Sequence, residues 1–535
     1  MSKINISFNN KKYSIDESTL STATNALQQH LSTTMKGSGA IINFGKAVYN
    51  VDSAKLSAAS NDFVSYLRTI AGNGYKVVIG GVEYSVDSAK VHGAISSLDT
   101  HYNSLVTPDS VEDLQNQYEF VYFSTFANAV NAVNNGTINN YDATQETAIA
   151  GVYTDENRRA NVVLLKDVVL TARVSPSVDM TINLGGRTIS CSDTAAIDVI
   201  TGNITIDGRL NGSTINTVVA GSGMARAFQV RAGRTTVVGG TYTAYSESGN
   251  SCGAMSAGTL TLSDATVFAD GISGANKGLQ INAGSTATIT NCHITANTNL
   301  GAGIGILNNG TIIMEDSTVL ATTTDGKGTA LANDGTATVS NSIIMGYSDY
   351  FVVDGQYAES SHGISSTGTL TINNSTVYGA HSGLQNYGTL RINGGTYTGY
   401  GHGGLYFAGS NYTSYVQNAS IKLCEMPEGY SSDPEYCNNA AFYIGGSDGN
   451  NKTVYMDGCE IVGAENTTKV FVLQSSYGSY SSTLLISNST INEGAKIRID
   501  NGDNKLYIGA GCNFTADDTN RPSAVVSTNE TYVMN

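Results

Sequence analysis

Three histidines stand just ahead of glycine turns in the C-terminal half of the chain. His362, His381 and His402 lie 6, 7 and 7 residues before Gly368, Gly388 and Gly409. Lys277 and Lys327 lie 7 and 8 residues before Gly284 and Gly335. In a repeating fold such spacing stacks side chains into a column, here a basic one on a protein of net charge −16. Such a column could contact an anionic group or a glycan; a polar turn column without function has the same spacing. A metal site would need carboxylates recurring beside the histidines, and none does, so neither a metal nor a cofactor is expected.

Tyrosine is dense around these histidines: Tyr347, Tyr350, Tyr357, Tyr378, Tyr387, Tyr397, Tyr400 and Tyr406. The ring is apolar with a polar tip, suited to stacking on sugar faces. His362, His381, His402, Tyr378, Tyr397 and Tyr406 are therefore the expected ligand contacts. Packing between the subunits of a trimer would use the same tyrosines. For hydrolysis of a glycan, two carboxyl groups must flank the bond at about 5–9 Å. Asp349, Asp354 and Glu359 in the stretch "YSDYFVVDGQYAESS" are the catalytic candidates, with Glu425, Glu428, Asp433 and Glu435 in a later loop. Loop carboxylates are more often solvated charge, so no catalytic residue is assigned.

The elements that must position these groups are written as a repeated line. Gly-Thr-apolar-x-apolar, then Asn or Asp, then a second apolar strand, recurs from Gly258, Gly284, Gly310, Gly335, Gly368 and Gly388, in steps of 26, 26, 25, 33 and 20. Looser copies lie near Gly202, Thr235, Lys452, Ser482 and Asn504. Short alternating strands at this period, with Gly and Asn at the corners, predict a right-handed parallel β-helix over 166–515. About fourteen coils at ~4.8 Å each would span roughly 65–70 Å. Leu370 and Ile372 are predicted to point inward. Asp264, Asp316, Asn341, Asn374 and Asn488 share one repeat position, where short polar side chains tolerate left-handed backbone at a corner. The long step of 33 places the stretch holding Asp349 on the side of the helix.

Ahead of the ladder, residues 1–105 hold three copies of a smaller unit marked by Tyr13, Tyr49 and Tyr84. Turn pairs Asn9-Asn10, Gly45-Lys46 and Gly80-Gly81 predict two-residue hairpins. Asp16, Asp52 and Asp87 are placed to cap helices, so each unit reads as ββα and the array as a docking or spacer module. Residues 106–165 read as a linker and a capping helix with Ser124 as its cap and Phe126, Val130 and Val133 on one face. Residues 516–535 are a C-terminal cap or tail.

Composition narrows the class. Charged residues make up 13%, with 59 Gly and 5 Pro among 535 residues, a profile of β-rich repeats. An excess of 44 acidic over 28 basic residues speaks against nucleic acid as a partner. Neither an apolar leader nor a bilayer-length apolar run is present, so synthesis in a cytosol and no membrane insertion are expected. Of the seven cysteines, Cys424 and Cys437 flank one loop and could pair there.

This layout resembles the tail spikes and tail fibres of bacteriophages, and its β-helix resembles the pectate-lyase superfamily. The resemblance implies a homotrimeric virion appendage assembled in the host cytoplasm. Residues 1–105 would dock to other virion proteins and the β-helix would bind a host surface polysaccharide. A polysaccharide depolymerase (a glycoside hydrolase or polysaccharide lyase) and a structural capsid or tail fibre with weak adhesion are the alternatives on the same scaffold.

Overall fold

A computed structural model describes residues 109–348, 361–399, 403–423, 441–445, 451–462, 482–491, 504–513 and 525–532, with strand backbone also placed at 4–8, 11–15, 40–44, 47–51, 76–79, 82–85, 352–353, 356–357, 471–473 and 497–499. Two compact units result, Met1–Asp109 and Ser110–Asn535. In the first, three antiparallel hairpins form in the predicted register. Phe8 pairs with Lys11, Phe44 with Ala47 and Ile79 with Val82, leaving two residues between strands each time. The helices predicted to follow the hairpins lie outside the described residues, as do Cys424 and Cys437.

The second unit opens with α1, Val111–Gln117, closed by a reciprocal cap. Ser110 Oγ accepts from the Asp113 N–H while the Asp113 carboxylate accepts from the Ser110 N–H. A second helix, α2, spans Phe126–Asn134, and its cap is Thr125 rather than the expected Ser124. Thr125 Oγ1 accepts from the Asn128 N–H at 3.0 Å. Ser124 is drawn away because its N–H and hydroxyl both donate to Asp142, at 2.6 and 2.9 Å. Phe126, Ala129, Val130 and Val133 are buried and join one continuous core with Val162, Leu164 and Met180 of the first two coils. Among the described residues no helix is long and apolar enough to cross a membrane.

From there the chain winds as a right-handed parallel β-helix of three faces. The first face begins when Ala160–Leu164 pairs in parallel with Met180–Asn183, and it continues in register to Lys505–Ile508 and Val525–Ser527. Thr188–Cys191 and Ile197–Val199 open the second and third faces. As predicted, Leu370 and Ile372 point inward: Leu370 lies between Ala337 and Leu390, Ile372 between Val339 and Ile392, all buried. Each such aliphatic side chain contributes about 1.5–3 kcal/mol by leaving water.

The corner between the first and second faces sets the coil. Asp264, Asn291, Asp316, Asn341, Asn374, Asn418 and Asn488 sit there with φ between 45 and 54°. In this conformation the corner N–H points along the axis. Asn341 donates to the Asn373 carbonyl and Asn374 to that of Asn393, both at 3.0 Å. A serine follows at several corners: Ser317, Ser342, Ser375 and Ser489 are buried. Each hydroxyl donates to the carbonyl two residues back, at 2.7–2.9 Å, and accepts an N–H from the preceding coil, at 3.1–3.2 Å. Serine is small enough to enter the core and is both donor and acceptor, so its burial leaves nothing unpaired. The glycine of the Gly-Thr line has a different cause: a Cβ on Gly388 would overlap the Gly368 carbonyl oxygen of the coil before.

One corner is under electrostatic tension. Burial first and the Glu315 charge second push the Asp316 carboxyl up to about 6, against a hydrogen bond with Asn341. Its folded pKa lies above the unfolded 3.8, so its contribution is full below pH ~4 and is lost as pH rises through ~6. Asn already fills this position in both adjacent coils. Asp316→Asn should therefore raise stability in urea by about 1–2 kcal/mol at pH 8 and leave it nearly unchanged at pH 4; an equal effect at both pH values would contradict this origin.

Candidate functional site

Strand register decides which predicted site residues meet. His362 aligns with Thr329 of the coil before and Ser382 of the coil after, and Ser382 with Gly403. His381 is one residue earlier in its coil, where its N–H donates to the Ser361 carbonyl. Lys277 shares the line of His362 with Ile304 and Thr329 between them, and Lys327 aligns with Ala302 on another line. Of the expected basic column, the His362 and His381 rings of adjacent coils do meet, whereas Lys277 lies three coils from His362 and Lys327 is on a different line. The spacing of six against seven residues before the glycine is a one-residue shift, and His381 lies at the bend just before the strand Ser382–Asn386 rather than in it. His402 lies outside the described residues, as do Asp349, Asp354, Glu359 and the carboxylates of the later loop.

His362 is buried, with Nδ1 2.7 Å from the Ser382 hydroxyl. Its ring meets His381 edge-on at 5.3 Å and 77°. Burial lowers the His381 pKa to about 4, which keeps that imidazole neutral near pH 7. The tyrosines disperse over the coil. Tyr378 faces outward on the second face, above Met345. Tyr406 faces outward on the third and packs on Tyr443, centroids 5.0 Å apart. Tyr397 is corrected from ligand contact to core: it is fully buried, aligned with Val377 and Ile421, and donates to the Gly394 carbonyl at 3.3 Å. In Thr396-Tyr397-Thr398 the strand alternation points the ring inward.

A continuous row appears elsewhere. The middle outward position of the first face is threonine from Thr181 to Thr371, with Ile313 the exception. It then becomes Arg391, Tyr415, Tyr455, Leu485, Tyr507 and Val526 in successive coils. Tyr415 and Tyr455 stack at 5.2 Å and 11°, and the Arg391 guanidinium lies 5.1 Å from the Tyr415 centroid. At that separation near-parallel rings in contact must be offset, so part of each face overhangs its neighbour. Thr413, Thr453 and Thr483 flank the row on one side, and Gln417 and Asp457 on the other. The result is an apolar strip edged by hydroxyl, amide and carboxylate groups. Sequence reasoning missed it by treating the third residue of each line as a spacer. Read down the lines "TLRIN", "TSYVQ", "TVYMD" and "KLYIG", that residue is the signal. Among the described residues no group of three or more His, Cys, Asp or Glu side chains converges as a metal site.

No family model matches the chain, and no curated protein matches it. Among solved structures, the crystal structure of the autotransporter UpaB from E. coli strain CFT073 is similar over 69% of this chain and 88% of that one, at 13% identity and a TM-score of 0.29. A likeness that distant carries no functional argument.

The depressed His381 pKa has a measurable consequence. Its contribution is full above the unfolded value of ~6.5 and is lost as pH falls from there towards ~4. In proton NMR the imidazole signal that disappears in His381→Gln should titrate near pH 4, and the variant should lose less stability than wild type between pH 7 and 4.5. Titration of that signal near 6.5 would show the ring to be solvated.

Proposed function

We propose that the chain is a bacteriophage tail fibre or tail spike that binds a host cell-surface polysaccharide along the first face of its β-helix. One observation carries the reading: the row from Arg391 to Tyr507 carries an amphipathic side chain in every coil but that of Leu485, at the ~4.8 Å repeat of stacked strands. A pyranose is about one coil long, with C–H faces for the rings and hydroxyl edges for Thr453, Gln417 and Asp457. In this account the hairpin-bearing N-terminal unit docks to other virion proteins. The particle carries the protein as a homotrimer assembled in the host cytoplasm.

Binding of purified protein to host surface polysaccharide tests the reading. Tyr455→Ala should weaken it about tenfold, the loss of one ring contact of ~1.4 kcal/mol, whereas Thr261→Ala on the same row should not. Equal binding by both variants would overturn the site. Release of oligosaccharides during the incubation would favour the depolymerase alternative. A virion that adsorbs normally without the protein would favour a structural fibre.

A further inference from the structure

The third face of the N-terminal coils carries a second constellation. Asp198, 1% exposed, is clasped by Arg231 through Nη2–Oδ2 at 2.5 Å and Nε–Oδ1 at 2.8 Å, and by Gln229 Nε2 at 2.6 Å. Burial pushes its carboxyl up, but the hydrogen bonds from Arg231 and Gln229 outweigh this and hold it below the usual range. Arg173 approaches the same carboxylate only at 3.5 Å. Asp198 is hydrogen-bonded by Arg231 and Gln229 and reaches Arg226 only through space, while burial outweighs that attraction and lowers the Arg226 pKa. The acceptor for Arg226 is the Met224 thioether, a weak one, and its Nε is shielded from water with no partner.

Register places Arg226, Cys252 and Lys277 on one line in three successive coils. The Cys252 thiol is buried and pushed up to about 11, so it is a neutral spacer. Lys277 makes no ion pair among the described residues. The line reads cation, spacer, cation, with the charges two coils or ~9.6 Å apart.

We propose that this line binds an acidic polysaccharide carrying a carboxylate on every second sugar, with Arg226 and Lys277 each taking one carboxylate. Two sugars match two coils, and a planar guanidinium whose Nη2 is held by nothing stronger than a thioether fits a planar carboxylate. On a chain of net charge −16, a local positive line also selects where a polyanion can settle. The proposal rests on the reading of the chain as a glycan binder and gives that glycan its charge; the site is separate from the tyrosine row.

The test is calorimetric titration of the full chain with a hyaluronan oligosaccharide, which alternates glucuronate and N-acetylglucosamine, and with a neutral chitin oligosaccharide of equal length. Wild type should bind the acidic probe more tightly, and less so as salt rises. Arg226→Met and Lys277→Met should each lose about tenfold, Arg226→Lys less, and Tyr455→Ala nothing, with thermal melts confirming the fold. The proposal falls if wild type ignores the acidic probe, or if Arg226→Met and Lys277→Met bind it like wild type. It falls alone if host polysaccharide still binds through Tyr455; it stands alone if Tyr455 is dispensable and Arg226 is not.

Discussion

Every coil must sit one strand spacing above the last, and its first corner must therefore repeat one backbone conformation. That constraint falls on a single residue per turn. At Asn374 the left-handed backbone aims the N–H along the axis to the Asn393 carbonyl, and Asn or Asp tolerates the strain that most L residues resist. The serine that follows turns the same junction into a buried two-way hydrogen bond. Where neighbouring coils press backbone to backbone, glycine is the residue that fits, as at Gly388.

The same constraint shapes what the surface can offer. Because the register holds from coil to coil, outward side chains form rows with one member per coil. A row is defined by a strand position rather than by distance from a turn. Two rows stand apart by chemistry. Arg391, Tyr415, Tyr455 and Tyr507 make a C-terminal strip of rings edged by polar groups. Arg226 and Lys277, spaced by Cys252, make an N-terminal line of charge. The first suits the faces of sugars and the second their charged substituents, so the two could engage different parts of one polymer.

Much of this was legible in the sequence because period and corner chemistry are local properties. The Gly-Thr line, the inward Leu370 and Ile372 and the corners at Asp264, Asp316, Asn341, Asn374 and Asn488 follow from alternation and from what a left-handed corner accepts. The sites were less legible, since they depend on register to the residue. Counting back from a glycine brought His362 and His381 together, and their rings do meet, but it also drew in Lys277 and Lys327, which register places elsewhere. Density of tyrosine placed Tyr397 among the ligand contacts, though its strand parity sends it to the core. The Asp198 cluster has no linear motif: Arg173, Asp198 and Arg231 come from different turns of the chain, and only coil stacking brings them together. Ser124 was passed over as a cap because Asp142, distant in sequence, takes its donors.

The outward row of the first face is the proposed ligand surface. A crystal structure of the protein with an oligosaccharide from its host polysaccharide tests this most directly. A sugar chain lying along the coil axis, one residue per coil, in contact with Tyr415, Tyr455 and Tyr507, is the expected result. A saccharide bound across the coils, or on another face with that row empty, would contradict it.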